Sequence, residues 1–263
     1  MRVIFAVLIG VLWSAQAGAE MVIAPLRHVL TPAAPEAMFR VTNPSARLIA
    51  GKASWIDLQA TARGYEPASP EVRAQLSAAP YLTVRPARFR LDPGASVDVI
   101  VRLRPGQMLP DGERRSHLLI ETDAVRTPFR RAGGGLELDI GLGVSVPVLV
   151  RAAPREARAE IEDVRFARDP DGRLTLETRI APLGATSAYG RIVALFTATG
   201  QKSAPLAQLA NASVYAEGPA RAFTLPLNVE ALSAGTLEVR YEGDAEFAGA
   251  VFDSRAFSVA APE

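Results

Sequence analysis

Apolar residues of this chain alternate with polar ones at period two in segment after segment, and nearly every such segment is closed by Gly, Pro, Asn or Asp. Period two is the signature of a strand with one buried face, whereas a helix repeats near 3.6, so the chain is expected to be all-β. In the first half, strands are expected at 21–30, 37–42, 51–57, 81–91, 96–104, 114–121 and 136–150. Turn chemistry separates them at Asn43-Pro44, Asp92-Pro93-Gly94 and Pro110-Asp111-Gly112. A second set is expected at 158–166, 173–180, 190–198, 207–215, 221–227, 236–241 and 250–259, with a hairpin turn at Asp169-Pro170-Asp171-Gly172 between its first two members.

A chain of 263 residues is long enough for two domains with separate cores. Strands at this density fit two immunoglobulin-like β-sandwich domains, one over 20–150 and one over 151–263. The joining segment Arg151-Ala152-Ala153-Pro154 is short enough to favour a fixed elbow over a free tether. Two stretches lack the alternation. Residues 59–80 suit a long loop holding one helical turn, and 122–135, with Gly133-Gly134-Gly135, suit a mobile connection.

The first residues follow an export pattern. Arg2 precedes the apolar run Val3 to Trp13 and the small residues Ala17-Gly18-Ala19, which fits a signal peptide over 1–19 cleaved after Ala19. That run is too short to span a bilayer, and no later run reaches 18 apolar residues, so the processed chain is expected in the periplasm without a membrane span. The chain has no Cys, which excludes thiol nucleophiles, Cys-type metal sites and disulfides. Only Lys52 and Lys202 are lysines, the net charge is +1 and aromatics are 6%, so neither a basic patch nor a stacking platform for nucleic acid is expected.

Enzyme chemistry finds little support. After the signal the two histidines, His28 and His117, lie inside strand patterns, as surface or core histidines do. No Gly-rich phosphate loop precedes a helix and no G-x-S-x-G turn occurs. Asp57, Asp92 and Asp111 are expected to serve turns, and Glu113 to form a structural ion pair with Arg114 or Arg115. No cofactor and no metal site is therefore expected.

The stretch from Leu136 to Val150 alternates apolar with small or polar residues up to Val148, and this alternating part spans about 40 Å at the usual strand rise, longer than a typical strand. Pro147 cannot donate a ladder hydrogen bond and points to an edge. An exposed apolar edge needs a cover or a use. Donation of the strand to another protein would seat Leu136, Leu138, Ile140 and Leu142 in a partner's pockets, and a dimer would cap the same edge. Periodicity alone leaves open an ordinary long central strand.

Five stretches in order resemble the periplasmic pilus-assembly chaperones of the chaperone-usher pathway, the PapD-like family. They are Val22-Ile23-Ala24-Pro25-Leu26-Arg27, Val41-Thr42-Asn43-Pro44, Pro86-Ala87-Arg88-Phe89-Arg90-Leu91-Asp92-Pro93-Gly94, the run from Leu109 to Leu118, and the long strand ending Val148-Leu149-Val150-Arg151. The resemblance implies two immunoglobulin-like domains set as an elbow. It also implies capture of a pilin or fimbrial subunit that lacks its last strand, and delivery to an outer-membrane usher. Carried over, Leu138, Ile140 and Leu142 take the donor positions, Leu136 continues their phase, and Arg27 takes the place of the arginine that binds the subunit's C-terminal carboxylate. Where the family has a second, lysine anchor this chain has Pro147, with Arg115 or Arg151 as candidate substitutes. The second half carries no matching stretch, so the resemblance is to a divergent member. A passive exported β-sandwich scaffold or adhesion module is the competing expectation.

Overall fold

The computed structural model describes residues 21–124, 142–153 and 156–260. The expected signal segment and three of the expected donor residues, Leu136, Leu138 and Ile140, lie outside the described residues. Two packed sheets make the first sandwich. One sheet runs in the order β1 (Val22–Ala24), β3 (Glu36–Thr42), β9 (Ser96–Leu103) and β7 (Leu82–Arg85). The other runs β2 (His28–Leu30), β11 (Leu142–Arg151), β10 (Glu113–Ala124), β4 (Ile49–Ile56) and β8 (Arg88–Leu91). Alternation does what period two demands. Phe39 and Val41 of β3 and Val99 and Val101 of β9 turn inward against Leu118 and Ile120 of β10 and Val146, Val148 and Val150 of β11. Each such side chain contributes about 1.5–3 kcal/mol by leaving water.

Two of the expected strands are each divided between the sheets. Residues 21–30 give β1 in one sheet and β2 in the other, and 81–91 give β7 and β8 in the same manner. A proline stands at each crossing, Pro25 and Pro86, where a missing backbone N–H ends the ladder. Alternation continues on both sides of the proline because both sheets face one core.

Asn43 ties two turns together from inside. Its Nδ2 donates to the carbonyls of Arg47 (2.6 Å), Leu91 (3.1 Å) and Asp92 (3.1 Å), and its Oδ1 accepts from the backbone and hydroxyl of Ser45. The N–H of Gly94, held at φ +74°, donates to the Asn43 carbonyl at 2.8 Å.

The stretch expected to be a loop with one helical turn carries more structure. It forms a hairpin of β5 (Leu58–Ala60) and β6 (Tyr65–Pro67), then a seven-residue helix α1 (Pro70–Leu76). Ser69 caps the helix by accepting from Val72 N, with Pro70 in the first position and Glu71 in the first turn, a start signal that period counting does not score. Asp57 is accordingly no turn residue. It is a buried carboxylate that accepts from Arg73 Nε at 2.9 Å and from the Ser116 hydroxyl, and so fastens α1 to β10.

The second sandwich packs β12 (Ala159–Arg168), β13 (Leu174–Pro182) and β16 (Arg221–Pro226) against β15 (Ala204–Val214), β14 (Ala188–Ala198), β17 (Gly235–Gly243) and β18 (Val251–Val259). Ile161, Leu176, Ile180 and Leu225 meet Ile192, Ala194, Val239 and Tyr241 in its core. The expected hairpin turn joins β12 to β13, with Gly172 at φ +80° and Asp169 Oδ1 accepting from the N–H groups of Asp171 and Arg173.

Replacing Asn43 by Ala strips buried carbonyls of their donor. We expect a loss of roughly 2–3 kcal/mol in denaturant unfolding, with an unchanged m-value.

Candidate functional site

Strand β11 is paired along one side throughout its length and along the other only at its end. Its ladder with β10 runs from Arg151 opposite Glu113 to Leu142 opposite Thr122. On the far side the short strand β2 covers Val148–Val150 alone, in parallel register with His28–Leu30. From Leu142 to Pro147, β11 therefore has no strand beside it among the described residues, an open edge about 20 Å long. Val144 and Val146 of this stretch turn to the core while Gly143 and Ser145 are exposed. Pro147 is tolerated here because an edge strand need not donate on both sides.

Arg27 directly precedes β2, and the parallel register brings it level with Pro147, where the open edge begins. Its side chain is 6% exposed, and its guanidinium forms a two-pronged pair with Glu246, at 2.9 Å and 2.7 Å. It also stacks on the Tyr189 ring at 4.4 Å. Arg151, at the end of β11, reaches the same carboxylate through Nη1 at 2.9 Å, and through Nε it binds Glu113 at 2.7 Å. Glu113 also accepts from the Ser187 hydroxyl. Two arginines of the first sandwich thus converge on one carboxylate of the second. Burial works to raise the Glu246 carboxyl, but hydrogen bonding and charge from Arg27, with Arg151 adding, hold it below the ordinary glutamate value.

The expectation that Glu113 pairs with Arg114 or Arg115 is corrected by the register. The residue directly across the ladder is Arg151; Arg114 points to the other face, and Arg115, two residues on along the same face, is drawn to a different acid. Arg114 donates to the carbonyl of Ala74, and Arg115 runs to Glu217 of the second sandwich. Of the two candidate substitutes for the absent lysine, Arg151 is the one brought to Arg27. Leu142 opens β11, while Leu136, Leu138 and Ile140 lie outside the described residues. Glu246, Tyr189 and Glu217 were not singled out in the sequence. Their partners lie in the other sandwich, and no local spacing announces them.

A second contact joins the sandwiches on the hairpin side. Tyr65 of β6 meets Tyr215 hydroxyl to hydroxyl at 3.0 Å, and the backbone N–H of Ala222 donates to the carbonyl of Ala62 at 2.7 Å. Arg115, 1% exposed, stacks on Tyr215 at 3.9 Å and donates to Nε2 of His117 at 3.3 Å. His117 is a core histidine. Burial, and then the charge of Arg115, pushes its imidazole down to about 3. Among the described residues no group of acidic and histidine side chains is arranged to hold a metal ion, and no helix is long and apolar enough to cross a membrane.

No family model matches the chain, and no curated protein matches its sequence. Chaperones recur among the solved structures to which it is similar. The CupB2 chaperone of Pseudomonas aeruginosa has a TM-score of 0.45 at 12% identity, over 92% of this chain and 100% of that one. The Escherichia coli chaperone DraB has 0.44 at 14%, over 92% and 96%. A complex of the Salmonella enterica SafA pilin with the SafB chaperone has 0.44 at 17%, over 91% and 96%. The two sandwiches stand on the strands and registers described above.

A histidine that refuses its proton in the fold and takes it when unfolded makes acid destabilising. Stability is complete above about pH 6.5 and falls as the pH drops toward 3, with a slope approaching about 1.4 kcal/mol per pH unit from this group. Unfolding of His117→Gln at several pH values is expected to lack that share of the slope.

Proposed function

We propose that this protein is an exported chaperone, a divergent relative of the PapD-like family, that holds a pilin-like or fimbrial subunit lacking one strand and hands it to an outer-membrane usher. The observation that carries the reading is the open side of β11 from Leu142 to Pro147 with Arg27 at its end. Backbone donors and acceptors left unpaired there suit the addition of a foreign strand. The side chains supply a row. Val144, Val146, Val148 and Val150 share one phase with the core, and period two counts Leu142, Ile140, Leu138 and Leu136 into that phase. On this reading, those four leucine and isoleucine side chains fill the client's own core, at about 1.5–3 kcal/mol each before the cost of ordering both partners.

The register also selects a direction. A strand laid along the open edge parallel to β11 ends where β2 begins, so its C-terminal carboxylate meets Arg27, whereas an antiparallel strand would bring an amine to a guanidinium. Arg27 is accordingly assigned the subunit's C-terminal carboxylate. Folding of the client onto the donated strand supplies the free energy, and no nucleotide or other cofactor is needed. Export with removal of residues 1–19, action in the periplasm, domains over 20–150 and 151–263, and capping of the free edge by a second copy complete the reading.

The test is purification of the mature chain from its own periplasm, with native mass and identification of what accompanies it. We expect a one-to-one complex with a small exported β-protein, lost in Ile140→Asp while the variant keeps its fold by circular dichroism. Undiminished capture by Ile140→Asp would remove strand donation. A wild-type chain that never carries a client would favour the passive module.

A further inference from the structure

Glu246 occupies the position that the proposed function reserves for a client, and the way it is held points to exchange. Its carboxylate already makes with Arg27 the two-pronged bond a terminal carboxylate would make. Burial is unequal across the pair. The side chains of Arg27 and Arg151 are 6% and 7% exposed, whereas that of Glu246 is 29% exposed, so the arginines are fixed in the wall and the acid lies on the open side. The arginines also have other holders. Arg27 keeps its stack on Tyr189, and Arg151 keeps Glu113 and the Ser187 carbonyl when Glu246 leaves. Arg27 alone would lose its only carboxylate among the described contacts, so it needs a replacement of the same charge.

The support beneath Glu246 is local and separate from the strands that fix the arginines. It rides on a single 3-10 turn, Ala245–Phe247, between β17 and β18. Ala245 sits at φ +52°, a left-handed conformation that disfavours a residue with a Cβ and is retained only where surroundings enforce it. The turn is closed by Phe247 N to Asp244 O at 3.0 Å and Ala248 N to Ala245 O at 3.1 Å, capped by Asp244 Oδ1 accepting from Ala245 N at 2.6 Å, and anchored by Phe247 against the second core, so a displaced Glu246 can swing out from a turn whose base stays seated.

We propose that Glu246 is a built-in stand-in for the client's terminal carboxylate. In the free chain it neutralises Arg27, and on capture it is displaced, loosening the turn between β17 and β18. This inference rests on strand addition at β11. Replacing one carboxylate by another is nearly balanced, so the exchange adds little affinity; its effect is to reject strands that end without a charge or stop out of register, because those leave a buried arginine bare.

A fluorescent, N-acetylated heptapeptide of alternating Val and Thr, made with a free C-terminal carboxylate or as its amide, tests the exchange on the intact mature chain. We expect hydrogen exchange at residues 244–250 to accelerate on binding of the carboxylate peptide and not of the amide, and Glu246→Gln to bind the carboxylate peptide about tenfold more tightly while leaving amide binding unchanged. Glu246→Asp, which keeps the charge, is expected to stay near wild type. Peptides that bind alike whatever their end group, with the turn undisturbed, would overturn the exchange and leave strand addition standing. Failure of both peptides to bind would count against strand addition at this edge and take the exchange with it.

Discussion

The ladder between β10 and β11 is the interaction on which the remaining architecture depends. Its unbroken antiparallel register, Glu113 with Arg151 through Thr122 with Leu142, places a buried acid opposite a buried base at one end and lays the valines of β11 over the first core. The same register carries Arg151 to the second sandwich, where it meets Glu246 and the Ser187 carbonyl. A shift by one residue would turn every valine outward and separate the acid from the base. Core, interface and open edge are thus specified together.

Burial at the junction of the sandwiches follows an economy of its own. Arginines are placed where a cation must be both buried and bonded in several directions. Arg27, Arg115 and Arg151 each combine an ion pair with a stack on an aromatic ring. A lysine has neither the planar face nor the fork for this. The junction is therefore polar, with Arg115 Nε and His117 Nδ1 left without a hydrogen-bond partner among the described residues, and the orientation it enforces depends on directional bonds more than on apolar area.

Much of the fold was legible because strands buried on one face must alternate, and the candidate strands from 37–42 onward fall close to those observed. Alternation reports which face is buried and is silent on which sheet a segment joins, so the crossings at Pro25 and Pro86 passed as continuous strands. The hairpin over 58–67 escaped, and the helix over 70–76 showed only as one turn in a loop, because short elements held by caps carry no period. At the site, Arg27 was legible through a family resemblance, whereas Glu246 was not, since it lies more than two hundred positions away and its significance depends on how two sandwiches meet. Glu113 shows the same limit on a smaller scale: its partner was sought along the strand and stands across it.

The pairing of β2 with β11 also orders events during synthesis. His28–Leu30 emerge early, but the strand they lie against is completed only after the rest of the first sandwich has been made. Contacts so distant along the chain form slowly, because the loop between them must close before either side gains. β10 waits for the same neighbour. The last strand to arrive is therefore the keystone of its own sheet, and until it is seated β10 and β2 each lack the neighbour that the finished ladder gives them.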